Sequence, residues 1–160
     1  MAKSFDLATS PSHLLRRANQ FAVDLYDDEK EPDALTARQL AVLHAVDQND
    51  GVTQTKLVEQ TGIDRSTLAD MIERMVKREL VIRKRTEEDG RANSVKITAT
   101  GRRALRAAQP AMQRAEAAFL ETLPARTRTE FVKGLNLLAQ AYDEKKAEEL
   151  NGAKPPRARR

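Results

Sequence analysis

Cysteine is absent from the 160-residue chain. That absence excludes disulfides, thiolate metal sites and thiol-based redox sensing. Histidine occurs only twice, as His13 and His44. No metal and no cofactor is expected. No apolar run approaches the ~18 residues that span a bilayer. Met1 to Asp6 lacks the apolar core of a secretory signal. The expectation is a cytoplasmic protein with no membrane contact. Catalytic signatures are missing as well: there is no G-x-x-x-x-G-K phosphate loop, no H-E-x-x-H and no dense carboxylate cluster on one face. An enzyme is not expected.

What is present is a charged, soluble composition. Hydrophobic residues make up 40% and charged residues 32%. The length suits one domain, 1–160, with a real core. The net charge of +4 and pI near 9.5 lean only mildly toward anionic partners. The chain's function must therefore come from its local patterning.

Residues 1–9 read as a short arm. Ser10, Pro11 and Ser12 open a helix of about residues 11–29, with Leu14, Ala18, Phe21 and Leu25 on one stripe. Asp27 to Pro32 is a charged break. Thr36 and Gln39 form a T-x-x-Q capping box, flanked by Leu35 and Leu40 as a hydrophobic staple. The second helix carries Leu40, Leu43 and Val46 inward and ends before the Asn49-Asp50-Gly51 turn. Thr53 caps a short third helix that buries Leu57 and Val58 and stops at Gly62. Asp64 caps a fourth helix of about 65–79, with Leu68, Ile72, Met75 and Val76 inward.

The period then changes from helix to strand. Val81–Thr86 and Ser94–Thr98 read as two short strands joined by the loop Glu87–Asn93. Thr98 caps a fifth helix of about 99–122, which Pro110 should kink. A sixth helix, about 125–148, aligns Phe131, Leu135, Leu138 and Tyr142. The remainder, 149–160, reads as a disordered basic tail. The fold class is thus mainly α, six helices with a small β-hairpin wing: a winged helix-turn-helix. Residues 33–98 hold the helix-turn-helix and the hairpin, flanked by the helices within 10–32 and 99–148.

The order short helix, Gly turn, helix, hairpin carries the functional reading. In a helix-turn-helix the second helix enters the major groove, and its N-terminal residues meet base edges. Here that face is Arg65, Ser66, Thr67, Asp70 and Arg74. Thr53, Gln54 and Thr55 open the preceding helix, whose free N–H groups suit a phosphate oxygen. Arg83, Lys84, Arg85, Arg91 and Lys96 make the hairpin cationic, as a contact to the minor groove or flanking phosphates requires. Of these, Arg85, Arg91 and Lys96 are the candidate contacts. Asp89, two residues before Arg91, is placed to hold its guanidinium by a charge-assisted hydrogen bond.

Gly62-Ile63-Asp64-Arg65-Ser66-Thr67-Leu68, the D-x-R element Asp89-Gly90-Arg91 and the V-x-I-T-x-x-G run from Val95 to Gly101 resemble the MarR family of winged-helix transcriptional regulators. The resemblance covers about residues 10–148, most specifically about 35–101. It implies a homodimer interlocked through the first, fifth and sixth helices, with 10–32 and 99–148 as the dimerisation lobe and 33–98 as the DNA-binding lobe. It also implies a pseudo-palindromic double-stranded operator and repression relieved by a small effector. It makes Arg91 the minor-groove arginine and Asp89 its orienting partner, with Arg65, Ser66 and Thr67 opening the recognition helix. It places an effector pocket near the first, second and fifth helices, where His13, Arg16, Arg17 and His44 suit an anionic aromatic ligand. Asp70 stands where many relatives carry a basic residue. The thiol-sensing branch of the family is excluded by the missing cysteine, and the zinc-sensing branch is poorly served by two histidines.

Two other readings remain at this stage. One is a DNA-binding regulator with no ligand. The other is a winged-helix module for protein assembly, which would carry large exposed apolar residues on the recognition face. That face is instead Ser, Thr, Arg and Asp.

Overall fold

A computed structural model describes residues 6–85 and 93–152, with only the backbone described for Arg85, Asn93 and 150–152. The chain divides into two compact units, Met1–Phe119 and Leu120–Arg160. The first holds α1 (Pro11–Glu29), α2 (Ala37–Gln48), β1 (Val52–Thr53), α3 (Gln54–Thr61), α4 (Arg65–Lys77), β2 (Val81–Arg85), β3 (Asn93–Ile97) and most of α5 (Ala99–Glu121). The second contains α6 (Ala125–Gly152).

Local chemistry sets most of these boundaries. The Thr36 Oγ1 accepts from Gln39 N, and the Gln39 side chain accepts from Thr36 N, so the capping box that opens α2 closes on both sides. Leu35 and Leu40 are buried at its base. Gly51, at φ +77°, turns the chain into β1, and Gly62, at φ +66°, ends α3 in the left-handed conformation. α4 stops at Lys77, two residues short of the expected end. There Glu79 N donates to Val76 O and Leu80 N to Met75 O, with Glu79 itself at φ +56°.

The sheet differs from expectation in its number of strands and in where the last strand begins. It has three strands, ordered β1-β3-β2, because Val52 and Thr53 pair antiparallel with Val95 and Ser94. A two-residue strand leaves no alternation to detect. The hairpin runs in register from Val81↔Ile97 to Arg85↔Asn93, so Asn93 belongs to the ladder and not to the loop. Thr86 lies outside the described residues.

The core joins α2, α3, α4, the sheet and α5. Val42, Leu43, Val46, Leu57, Ile72, Met75, Val81 and Val95 have no exposed surface. Tyr26 is equally buried and donates its hydroxyl to Leu35 O at 2.9 Å. Burial pushes its phenol pKa up. This bond fixes the end of α1 against the segment leading into α2. Midway along α1, Phe21 meets Phe119 of α5, with ring centroids 5.8 Å apart. Of the expected α1 stripe, Leu14 and Phe21 remain exposed. Ser10 occupies the N-cap position but makes no capping bond; its hydroxyl meets Ser12. Leu7–Thr9 forms a 3₁₀ turn capped by Asp6, where an arm was expected.

Thr98 and Gly101 make the tightest junction. Thr98 Oγ1 caps α5 by accepting from Gly101 N, while its own hydroxyl meets Glu79 O and Leu80 O. A Cβ at Gly101 would lie 2.1 Å from Leu80 O and 2.8 Å from Ile97 Cγ1. α5 continues through Pro110. Its buried stripe is Gly101, Leu105, Ala108, Ala111 and Ala115.

In the second unit, Thr127 N donates to Pro124 O to start α6. The Arg128 guanidinium donates to Leu123 O and Glu121 O, serving carbonyls that the end of a helix leaves unpaired. α6 extends to Gly152, so residues 149–152 are helical where a disordered tail was expected. The rest of that tail, 153–160, lies outside the described residues. Leu137, Leu138 and Tyr142 of α6 are exposed.

Candidate nucleic-acid interface

The site begins with the Gly62 turn, which sets α3 before α4 in helix-turn-helix order. Asp64 caps α4: its Oδ1 accepts from Thr67 N at 2.9 Å and from the Ser66 hydroxyl at 2.7 Å. The Thr67 N–H, then the Thr67 and Ser66 hydroxyls, hold the Asp64 carboxyl far below the usual carboxylate range. The Ser66 proton is thereby committed within the protein. Its oxygen lone pairs stay available to accept from a base amino group, such as cytosine N4 or adenine N6.

Asp64 has a depressed folded pKa, so its cap stabilises the fold fully above the ordinary carboxylate pKa. That contribution fades as pH falls through the lower, folded value. Asp64→Ala is expected to fray the start of α4, raising amide exchange at Ser66 and Thr67, while Asp64→Asn keeps the cap. Equal exchange in the two variants would show that the cap does not order this turn.

Arg65 donates from Nη2 to Thr55 Oγ1 at 3.2 Å, tying the first turn of α4 to the first turn of α3. Because Thr55 accepts there, its own proton is free to go to a phosphate oxygen. Thr53 is in the same position, since its Oγ1 accepts from Lys56 N. Thr55, Arg65, Ser66, Asp70 and Arg74 are exposed, while Thr53, Gln54 and Thr67 are half-buried. The structure therefore gathers the residues expected on α3 and α4 onto neighbouring first turns and one exposed helix face. That face also carries Glu73 and Lys77, paired at 2.8 Å.

The wing residues separate. Lys96 Nζ lies 2.9 Å from Asp50 Oδ2, and this bond is the first cause that holds the Asp50 carboxyl down. Arg85 belongs to β2, but its side chain is not described. Asp89 and Arg91 lie outside the described residues. Arg83, one of the cations of the hairpin, donates to Ala69 O of α4 at 3.2 Å.

The four residues expected to bind an effector fall in two places. His44 lines a cleft of about 290 Å³ between α2 and α5, with Leu40, Leu105, Gln109, Met112 and Glu116. His13, Arg16 and Arg17 line a shallower surface on α1 with Leu7 and Gln20. Among the described residues no cluster of three or more His, Asp or Glu side chains is arranged to hold a metal ion. None of the described helices is long and apolar enough to cross a membrane.

A model of the MarR family matches residues 35–92. The transcriptional regulator HosA of Escherichia coli O157:H7 is 37% identical over 99 residues, which is 62% of this chain and 73% of that protein. The structure of the PcaV transcriptional regulator from Streptomyces coelicolor, in complex with its natural ligand, matches with a TM-score of 0.78 at 33% identity, covering 89% of this chain and 99% of that one. The structure of Bordetella bronchiseptica BpsR, whose DNA binding is regulated by 6-hydroxynicotinic acid, matches with a TM-score of 0.79 at 26% identity, covering 86% of this chain and 98% of that one.

Proposed function

The chain belongs to the MarR family of DNA-binding transcriptional regulators, and from that premise we propose that it is a homodimeric repressor released from its operator by a small aromatic acid. The observation that carries the DNA-reading half is the polar, exposed first turn of α4, with Ser66, Thr67 and Arg65 held by Asp64 and Thr55. Side chains already fixed by the protein lose little freedom when they dock on base edges. In this reading Asp70 and Arg74 extend the base-reading face, and Thr53, Gln54 and Thr55 take phosphate. Arg85, Lys96 and Arg91, with Asp89 orienting it, serve the wing.

Dimerisation is supported by apolar surface. Leu14, Leu15 and Phe21 are exposed in the first unit, and Leu137, Leu138 and Tyr142 in the second. A two-fold partner would bury such surface and set two recognition helices ~34–36 Å apart, matching half-sites of a pseudo-palindrome.

The effector half rests on charge and shape. Two separate surfaces are candidates for it: Arg16 and Arg17, beside His13 on α1, suit a carboxylate, and the cleft beside His44, between α2 and α5, offers apolar walls to a ring. In a fluorescence-anisotropy competition, 6-hydroxynicotinic acid or a related aromatic acid is expected to release bound operator. The double variant Arg16→Ala/Arg17→Ala is expected to need about tenfold more of it. Release with undiminished sensitivity in that variant would remove these arginines from the effector site. No release by any aromatic acid would count against effector control.

A further inference from the structure

We propose that Arg83 is a positioning residue. It fixes the recognition helix against the wing and thereby sets how sharply the protein discriminates between DNA sequences, without itself touching DNA. This rests on the DNA-reading proposal above.

Successive side chains on β2 point to opposite faces. Val81 is fully buried, so Arg83 shares its face, and Arg83 is registered opposite Val95, which is also fully buried. Arg83 thus shares the face of Val81, although its side chain is exposed. Its guanidinium reaches across to α4 and donates from Nη2 to Ala69 O at 3.2 Å. That carbonyl lies inside α4, where the ordinary i→i−4 helix bond occupies one lone pair, so Arg83 takes the second.

The neighbouring cations are placed differently. Lys84 lies on the opposite face of β2. Lys96, registered opposite Ile82, is held by Asp50. Among the described wing cations, Arg83 is the one bonded to the backbone of the recognition helix. An arginine committed to a helix carbonyl acts on geometry. The angle at which α4 enters the groove decides which base edges Ser66, Asp70 and Arg74 can reach. The wing docks on the same duplex, and Arg83 joins the two.

Counterion release separates this role from a phosphate contact. A lost phosphate contact lowers affinity for every sequence and reduces the salt slope by about 0.9. A lost positioning contact lowers affinity for the preferred sequence and leaves the slope alone. The test uses the full chain, a duplex selected by the wild-type protein from a randomised library, and a scrambled duplex of equal length.

Arg83→Ala is expected to lose about tenfold on the selected duplex, with less than about twofold change on the scrambled one and an unchanged salt slope. Arg83→Lys keeps the charge without the planar fork, so it is expected to lose discrimination in the same direction by a smaller factor. It carries the test if the alanine variant melts early. A parallel loss on both duplexes with a reduced slope would make Arg83 a phosphate contact and overturn the proposal. Unchanged discrimination in both variants would overturn it too. A wild-type protein with neither salt dependence nor sequence preference would fail one step earlier, at the DNA-reading proposal itself.

Discussion

Gly101→Ala is expected to lower stability by about 3 kcal/mol or more, a fall of roughly 10 °C in melting temperature for a chain of this size. The added methyl would stand 2.1 Å from Leu80 O and 2.8 Å from Ile97 Cγ1. The first of these is a backbone atom, so no rotamer change relieves the clash. Nor can the Leu80 carbonyl retreat freely, because it accepts from both Thr98 N and Thr98 Oγ1 at 3.1 Å. Moving it would break the junction between the end of α4, the hairpin and the start of α5. Thermal unfolding followed by circular dichroism measures the effect. A melting temperature within about 2 °C of wild type would show that the junction yields at little cost.

Arg91→Ala is expected to weaken operator binding by about 1–3 kcal/mol while leaving oligomeric state and folding intact. The five paired positions from Val81↔Ile97 to Arg85↔Asn93 tie the two wing strands together, and segment 86–92 joins their far ends. Arg91 is the cation of that segment's D-x-R element. A gel-shift titration with size-exclusion chromatography as control is sufficient. Unchanged affinity would remove the wing from the interface, and a monomer at the same concentration would show that the substitution acts through assembly.

The parts of the fold that were legible in the sequence are those where cause and effect lie within four residues. The caps at Thr36, Thr53, Asp64 and Thr98 belong to this class, as do the turns at Gly51 and Gly62, because each satisfies backbone groups next door. The face of α4 was equally plain, since helical spacing sorts Leu68, Ile72 and Met75 from Ser66, Asp70 and Arg74. What escaped depends on contacts distant in sequence. Tyr26 is buried with its hydroxyl satisfied by Leu35 O, nine residues further on. Val52 and Thr53 become a strand only because β3 lies beside them. Gly101 read as part of a motif, but the reason for it is a carbonyl 21 residues earlier in the chain, at Leu80. Arg83 and Lys96 both read as wing cations; one turned out to serve α4 and the other Asp50. Composition cannot say which way a basic side chain leans once the sheet has twisted it toward a neighbour.

The central claim is that this chain binds duplex DNA through α3, α4 and the wing. The most direct measurement is operator affinity as a function of salt. With phosphate contacts from both halves of the proposed dimer, affinity is expected to fall roughly a thousandfold or more between about 50 and 200 mM salt, linearly in log–log form. An affinity that stays flat across that range would contradict the claim and mark the polar face of α4 as a surface for some other partner.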